Sequence, residues 1–435
     1  MWGAHWTIHL EKKGIPTVYI VDEPFKSDVQ ITCDKEGMPS LRRVVVPHPC
    51  GDVAEKQLPE IIPQLIKAVT SPLTDEEQFP KAKRAEKPSR IVFKGTLEEV
   101  NQFFYKRGWT DGLPILPPTE EKVREMLRGT SHSPDEVVTT KMLPESSTVS
   151  VEKVAIVGAM AGCDPESMPV LLSIVEAFAN DSYSSTVRST TSFSFAIIVN
   201  GPISRQIGMN SGMNALGSGT GNKANATIGR FLRLAIISLG GSRSGLNDMS
   251  SIGNPSKYSF AFAENEEKSP WEPFHVSLGF KPEESVVSVL SGGWSHSGPF
   301  GHVDLGQIAK SIATYELPTG VLAIMDPTSA RKLSQEGYTK RQAEEYIWSN
   351  AMKTVGEFKA DFFYPAFIEP VLKGEPWYGT KPLWPAHYLN LPSDERVQVF
   401  PREDVRIVVV GGETNPYTQV WQMSRPSSVI INKWQ

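Results

Sequence analysis

Short apolar stretches without polar alternation lie near the start of the chain. The first covers residues 17–21 and the second residues 44–46, and each follows a stretch of helix-like composition. A glycine and a proline mark the end of a helix before the first stretch, and residues 58–69 read as a helix after the second. Such runs are typical of parallel strands covered on both faces. The pattern predicts part of a Rossmann-like α/β domain over residues 1–72, which would normally have an earlier strand.

Residues 73–92 are rich in proline and charge and poor in large apolar side chains, which is typical of a linker. Residues 93–435 are then predicted to form a large α/β or α+β domain that could divide near residues 290–320. Its apolar runs predict buried strands at residues 149–157, 193–199, 321–325 and 405–410. Apolar spacing and capping residues predict helices at residues 96–108, 119–127, 168–179 and 227–239.

Composition narrows the class of protein. The chain has 435 residues, 40% hydrophobic and 21% charged, which is typical of a globular protein. A net charge of −5 provides no basic field for nucleic acid or an anionic membrane, and no apolar run is long enough to span a bilayer. Three cysteines are too few for a disulfide framework, so we expect a reducing, cytoplasmic location.

Cys163 has the most reactive sequence context of the three cysteines. It precedes Asp164-Pro165-Glu166, which is a typical helix start. The positive end of a helix dipole lowers the pKa of a nearby thiol, so the context predicts a catalytic thiolate at Cys163. The alternative is that Asp164 caps the helix and Cys163 is a small, buried turn residue.

A loop rich in glycine and asparagine covers residues 208–221 and is the strongest local signal in the chain. Its composition allows left-handed backbone and the close approach of a ligand. The next helix carries Arg230, so we expect a small anion to bind here, with Asn210, Asn214 and Asn225 as further contacts. The loop matches neither a P-loop nor a dinucleotide fingerprint. The alternative is an ordered loop that contacts another subunit.

Two histidines and a carboxylate, His296, His302 and Asp304, occur within one glycine-rich segment. One histidine could act as a general acid or base with Asp304 orienting it. The six-residue spacing of the histidines is not a standard metal spacing, so we assign no metal ligands. The alternative is that both are ordinary loop histidines.

Four more residues are candidate substrate contacts. Asn200 follows a predicted strand, Trp109 and Asp111 lie in a turn-rich segment, and Lys257 precedes an acidic run. The alternatives are that the tryptophan is a packing anchor and that the acidic run is a solvated face.

Several segments near the start resemble the second half of the UGSC-type redox (seleno)protein domain. They are Trp2-Gly3-Ala4-His5 and residues 10–18, 23–25, 37–39 and 44–49. That domain is named for a selenocysteine-Gly-Ser-Cys motif, in which some members have cysteine first. In an ungapped alignment the motif would end just upstream of Met1, and His5 would fall on the histidine of the family. Because the selenocysteine codon is usually read as stop, we expect a truncated start. The alternatives are a genuine start and two separately encoded subunits.

From about residue 104 onward the chain resembles the long partner domain found with UGSC-type proteins. The likeness is carried by residues 108–114, 160–163, 199–203, 224–230 and 264–272. His296 and His302 resemble the histidine pair of that family.

The resemblance implies a thiol- or selenol-dependent redox enzyme. We expect the loop at residues 208–221 and the segment from His296 to Asp304 to hold its substrate, a small anion. The enzyme would take electrons from a thiol reductant or a redox partner protein and form a homo- or hetero-oligomer, while no cofactor is implied. His5 would donate a proton to the selenol or thiol or tune its pKa. The alternatives are a lyase or hydrolase using Cys163 and the histidines within residues 93–435, and a non-catalytic subunit that completes the site of a partner.

Overall fold

The computed structural model describes residues 2–47, 50–78, 89–181, 187–188, 190–315, 320–361, 364, 369–373 and 386–435. The N-terminal unit comprises α1 (Trp2–Lys12), β1 (Tyr19–Asp22), α2 (Lys26–Lys35), β2 (Arg43–Val46), α3 (Cys50–Thr70) and α4 (Asp75–Gln78). Strands β1 and β2 pair in parallel, as their sequences predict. Within the described residues, no helix is long and apolar enough to cross a membrane.

Each face of this two-stranded sheet is buried in part. The parallel register aligns Ile20 with Val44 and Val21 with Val45, so each face carries one buried valine and one exposed residue. Val21 packs in a small core with residues of α1 and α2. Ile20 and Val45 are 46% and 39% exposed. The described helices therefore cover each face only in part, which the apolar runs alone could not show.

Arg42 fixes the end of α3 against α4. Its Nη1 donates to the carbonyl oxygens of Ala68 and Ser71, each at 2.6 Å. Its Nε and Nη2 form a fork with the carboxylate of Glu77 at 2.9 and 2.8 Å. The hydrogen bonds from Arg42 hold the pKa of Glu77 down, at about 2. One guanidinium thus satisfies carbonyl groups that a helix end leaves without partners.

The larger unit contains the remaining elements. Its helices are α5 (Leu97–Lys106), α6 (Glu120–Leu127), α7 (Val151–Ala161), α8 (Met168–Asn180), α9 (Ile203–Gln206), α10 (Lys223–Ser238), α11 (Phe274–Ser277), α12 (Leu305–Ile312), α13 (Pro327–Gln335), α14 (Lys340–Asn350), α15 (Val355–Ala360) and α16 (Glu369–Leu372). Its strands are β3 (Val137–Met142), β4 (Ser147–Ser150), β5 (Ser194–Asn200), β6 (Ala261–Ala263), β7 (Val286–Phe300), β8 (Val321–Met325), β9 (Met352–Thr354), β10 (Arg396–Gln398), β11 (Val405–Val409), β12 (Tyr417–Met423) and β13 (Ser427–Ile430).

A seven-stranded mixed sheet organises the larger unit. Its order is β11-β8-β12-β7-β5-β6, and β13 also pairs with β7. The β11/β8 and β5/β6 pairs are parallel and the other pairs are antiparallel. The backbone N–H of Asn265, just after β6, donates to the carbonyl oxygen of Val409 in β11 at 2.8 Å. The sheet is therefore curled enough for the segment just after β6 to reach β11, and an apolar core fills its inner side.

The α/β class predicted from sequence is confirmed, and most predicted elements are present. β5, β8 and β11 coincide with three predicted strands. Thr96 and Glu99 form a capping box at the start of α5, as predicted. The predicted strand at residues 149–157 is wrong, because α7 begins at Val151. Neighbouring helices bury α7 on nearly every side, so its apolar run lacks the helical period that would have distinguished it from a strand.

The two units meet through α2. Asp28 is only 2% exposed and forms a side-chain hydrogen bond with Asn247 of the larger unit. The charge of Arg188 also acts on Asp28, but burial dominates and raises the pKa of this carboxyl to about 6. The N-terminal unit therefore lies against the loop that contains Asn247.

Candidate functional site

A cleft with a volume of about 660 Å³ lies at the C-terminal half of α10. One wall comes from the end of α5 and the turn after it, including Tyr105 and Asp111. Arg233 and Ile237 of α10 form a second wall, and residues between 242 and 258 form the third. This volume is in the usual range for a site that binds a small organic molecule.

Two cations that line the cleft, Arg233 and Lys257, share one carboxylate. Asp248 accepts hydrogen bonds from Lys257 Nζ at 2.8 and 2.9 Å, from Arg233 Nη2 at 3.1 Å and from Ser250 Oγ at 2.7 Å. Burial tends to raise the pKa of Asp248, but the hydrogen bonds and charges of Lys257, Ser250 and Arg233 outweigh it and hold the pKa below its usual value. The carboxylate therefore stays ionised and faces two cations.

Lys257 was expected to contact substrate, and it lines the cleft. Its ammonium group already donates to both oxygens of Asp248 and, at 2.6 Å, to Ser250 Oγ. An ammonium group has three N–H bonds, so these contacts use its donors. Lys257 thus supplies positive charge to the cleft rather than a free donor.

Arg243 and Ser242 supply the donors that remain unused. Arg243 Nη1 donates to the carbonyl oxygens of Ile237 at 3.0 Å and Ser242 at 2.8 Å, and Arg243 has no ion pair within the described part of the chain. A Cβ atom placed on Gly108 would lie 3.6 Å from Arg243 Cδ and Nε, so the guanidinium arm runs along this backbone. The hydroxyl of Ser242 is buried and has no hydrogen-bond partner among the described residues.

A tight loop holds Arg243 in place. Gly241 and Gly245 have φ angles of +81° and +74°, a region that glycine adopts without strain. Asn247 Oδ1 accepts the backbone N–H of Arg243 at 2.6 Å, and its Nδ2 donates to the Gly241 carbonyl at 3.2 Å. Because the same asparagine contacts Asp28, the N-terminal unit supports this loop.

Asp111 and Arg230 form a second, largely buried ion pair beside the cleft. Arg230 Nε and Nη2 donate to the two carboxylate oxygens of Asp111 at 2.7 and 2.9 Å. Nη2 also donates to the Pro114 carbonyl at 2.8 Å. The Asp111 side chain is 2% exposed, so the pair fixes the turn rather than presenting charge. Trp109, also an expected substrate contact, packs edge-on against Phe103 and Phe104, as its alternative predicted.

The side chains of Asn214 in the 208–221 loop and of Asn225, just after it, form hydrogen bonds to the backbone of the loop. Asn225 Oδ1 accepts from the backbone N–H of Asn210, and Asn225 Nδ2 donates to the carbonyl of Asn210, both at 2.8 Å. Asn214 Nδ2 donates to the Ser218 carbonyl at 2.9 Å. The loop precedes α10, whereas the cleft lies at the last turns of that helix. The structure therefore does not bring these expected contacts into the cleft.

Asn200 is also placed away from the cleft. It is fully buried, and its Nδ2 donates to Glu264 Oε2 at 2.6 Å and to Glu266 Oε1 at 3.0 Å. Burial raises the pKa of Glu264, which also accepts from the backbone N–H of Phe274 at 2.5 Å. Asn200 thus joins the end of β5 to the segment after β6.

The structure gives no support to the predicted thiolate at Cys163. Cys163 is 8% exposed, and burial raises the pKa of its thiol to about 12. The alternative of a small, buried turn residue is confirmed, although the side chain of Asp164 makes no capping bond and pairs instead with Lys223 at 2.7 Å. Removing the thiol from water outweighs any helix dipole.

The histidines do not form a cluster in the described residues. Nδ1 of His302, an exposed side chain, lies 3.3 Å from the Phe300 carbonyl oxygen. Asp304, expected to orient a histidine, instead caps α12 by accepting from the backbone N–H of Gln307 at 3.0 Å. The backbone of His296 pairs with Val420, and its side chain, like that of His5, lies outside the described part. Among the described side chains, no group of three or more histidines, cysteines or carboxylates could hold a metal ion.

Of the expected site residues, Asp111 and Lys257 line the cleft, and Arg230 is joined to it through Asp111. The sequence reasoning did not single out Ser242 and Arg243. Their signal is the run Gly-Gly-Ser-Arg-Ser-Gly directly after a helix, because glycines on both sides allow a tight turn that exposes a fixed arginine.

Comparison with known proteins gives one match. Residues 2–75 match the model of the UGSC family, which covers most of the N-terminal unit. Neither the curated proteins nor the solved structures gave a match to the chain.

Proposed function

We propose that this chain, a relative of the selenoprotein-related UGSC family over residues 2–75, holds the substrate of a thiol- or selenol-dependent redox enzyme. The substrate is a small organic anion, and the cleft at the end of α10 binds it. The observation that carries this proposal is the excess of cations in the cleft. Arg233, Lys257 and Arg243 line it, and Asp248 pairs with only the first two.

Arg243 is the residue that we expect to contact the anion. Its Nε and Nη2 make no hydrogen bond among the described residues, and a guanidinium binds carboxylate or phosphate through two parallel N–H bonds. The neighbouring hydroxyl of Ser242 has no partner either, so it could donate a third bond. An anion would satisfy both groups at once.

The position of the UGSC-related unit supports a joint site. Asp28 in α2 contacts Asn247, and Asn247 binds the backbone of Arg243. The loop that carries Arg243 therefore contacts the unit that matches the UGSC family. In this proposal, His5 donates a proton to the reacting selenol or thiol or tunes its pKa, while His296 and His302 remain candidate acid–base groups.

The redox step needs a pair of sulfur or selenium atoms. In the proposal they come from the selenocysteine- or cysteine-Gly-Ser-Cys motif of UGSC-type domains, which the printed sequence does not contain. The pair gives two electrons and two protons to the substrate and closes to a disulfide or selenenyl sulfide. A dithiol or a redox partner protein in the cytoplasm then reopens it by thiol exchange. The alternative lyase or hydrolase that uses Cys163 as nucleophile has no support from a buried, neutral thiol.

The binding part of the proposal is tested by calorimetric titration of the full chain with inorganic phosphate and with succinate. Arg243→Ala should weaken binding about tenfold to a hundredfold, because a hydrogen bond to a charged group contributes about 1.5–3 kcal/mol. Arg205→Ala is the matched control, since that arginine is 65% exposed and pairs with Glu267 away from the cleft. Equal affinities of both variants would contradict an anion site at Arg243.

The redox part is tested by comparing two forms of the protein. Dithiol-dependent reduction of hydrogen peroxide or of an aromatic disulfide is measured for the chain as printed and for a form extended upstream through the whole selenocysteine- or cysteine-Gly-Ser-Cys motif. Activity only in the extended form supports the proposal. Turnover by both forms that is lost in Cys163→Ala would instead support the lyase or hydrolase, and inactivity of both with stable binding of a partner would indicate a non-catalytic subunit.

A further inference from the structure

Three large side chains at the mouth of the cleft are strongly exposed. Ile252 is 82% exposed, Tyr105 is 62% exposed and Tyr258 is 58% exposed. All three line the same cleft as Arg243. Single exposed apolar residues are ordinary on a protein surface, but several around one concave site mark a ligand or partner surface.

The mouth is built on ordered segments. Tyr105 lies in the last turn of α5, and Tyr258 follows a short 3-10 turn. Asn254 Oδ1 accepts the backbone N–H of Ser256 at 3.0 Å, which fixes the start of that turn. Asn254 Nδ2 also donates to the carbonyl of Gly293 in the central sheet. The apolar side chains are thus presented by a segment that is attached to the sheet.

Charge and apolar surface are therefore separated within one cleft. Arg243 and the unpartnered hydroxyl of Ser242 supply donors for an anionic group, whereas Tyr105, Tyr258 and Ile252 supply an apolar surface. A volume of about 660 Å³ is far larger than a bare phosphate or acetate ion needs. A ligand that satisfies both parts has a charged head and an apolar body.

We propose that the cleft selects organic anions with an aromatic or similarly bulky apolar body. The carboxylate or phosphate group binds Arg243 and Ser242, and the body packs against Tyr105, Tyr258 and Ile252. This inference rests on the proposed function, because it specifies the substrate class of the same site. Tyrosine rings favour a ligand with an aromatic body, since they stack on other rings and bury a large apolar area at little entropic cost.

The test is a calorimetric titration of the full chain with two matched pairs of anions. Phenyl phosphate is compared with inorganic phosphate, and benzoate is compared with acetate. The aromatic member of each pair should bind at least about tenfold more tightly, because it buries apolar surface that the small anion lacks. Tyr258→Ala and Ile252→Ser should each reduce that preference several-fold without changing the affinity for inorganic phosphate. Tyr346→Ala is the control, since that tyrosine is 38% exposed and lies in α14.

The outcomes separate this inference from the proposed function. Equal affinity for phenyl phosphate and inorganic phosphate would overturn the aromatic preference and leave an anion site intact. If neither phenyl phosphate nor inorganic phosphate binds, both proposals are overturned. A dimer that dissociates in Ile252→Ser, with unchanged affinity for phenyl phosphate, would show that the exposed side chains form a subunit contact and would also overturn the inference.

Discussion

Replacing Asp248 by asparagine probes the carboxylate that pairs with two cations of the cleft lining. The carboxylate faces Lys257 and Arg233, whose side chains are only 16% and 18% exposed, and also accepts from Ser250. Asparagine keeps the size of the side chain but removes its charge, and its amide would point an N–H group toward one of the cations. The two cations would then lie close together without a counter-charge.

The expected loss of stability is about 3–5 kcal/mol, which is typical when one partner of a buried ion pair is removed. With an unfolding entropy of about 2.1 cal/mol/K per residue, this corresponds to a fall in melting temperature of about 5 °C for the larger unit. The loss should depend on pH. The pKa of Asp248 is held below its usual value in the folded chain, so its contribution is complete above about pH 4 and disappears as the pH falls through the folded pKa.

The assay is thermal unfolding of the wild type and the variant at pH 7, with and without phosphate. Phosphate should stabilise Asp248→Asn more than the wild type, because the variant cleft carries more net positive charge and bound ligand stabilises the folded state by mass action. Asp164→Asn is the matched control, since its pair with Lys223 is 57% and 60% exposed, and it should change stability by less than about 1 kcal/mol. Equal melting temperatures for Asp248→Asn and Asp164→Asn would refute the reasoning.

Three other predictions concern residues outside the Asp248 network. Arg42→Ala should destabilise the end of α3 by about 2–3 kcal/mol, because it removes two charged hydrogen bonds to Glu77 and the bonds to carbonyl oxygens at the helix end. The expected result is faster hydrogen exchange in α3 with unchanged exchange in α7. Burial raises the pKa of Asp28 to about 6, so the folded chain binds that proton more tightly than the unfolded chain, and stability falls as the pH rises from about 4 to above 6. In urea unfolding at pH 7.5, Asp28→Asn should therefore be more stable than the wild type by up to about 3 kcal/mol. At pH 4 the two proteins should be equally stable. The same difference in stability at both pH values would contradict a titrating Asp28. Cys163 should resist iodoacetamide at pH 8 in the folded chain and react in urea, because burial raises its thiol pKa to about 12; rapid alkylation of the folded chain would show that the thiol is accessible.

The sequence predicted elements wherever a local signal was sufficient. Apolar runs between glycine and proline gave β5, β8 and β11, and a Thr-x-x-Glu pattern gave the capping box of α5. The same reasoning failed at α7, because an unbroken apolar run is compatible with a buried helix and with a buried strand. The curled sheet also could not be predicted, since the contact of Asn265, just after β6, with Val409 in β11 joins distant segments of the chain.

The candidate site was only partly predictable for a similar reason. Asp111 and Lys257 carried local signals, but their neighbours in space come from three separate segments. The asparagines of the 208–221 loop show why composition alone could not locate the site. Residues that suit a ligand site also suit a loop held by its own hydrogen bonds. For Cys163 the helix start was visible in the sequence, but burial was not, and burial decides the pKa of the thiol.

The location of a bound organic anion tests the central claim most directly. Crystals of the full chain soaked with 4-bromobenzoate would show the bromine by its anomalous scattering. We expect the carboxylate at the guanidinium of Arg243 and the bromine between Tyr105 and Tyr258, with no peak in crystals of Arg243→Ala. A bromine peak in the 208–221 loop or beside His302, with none in the cleft, would contradict the claim that the cleft at the end of α10 holds the substrate.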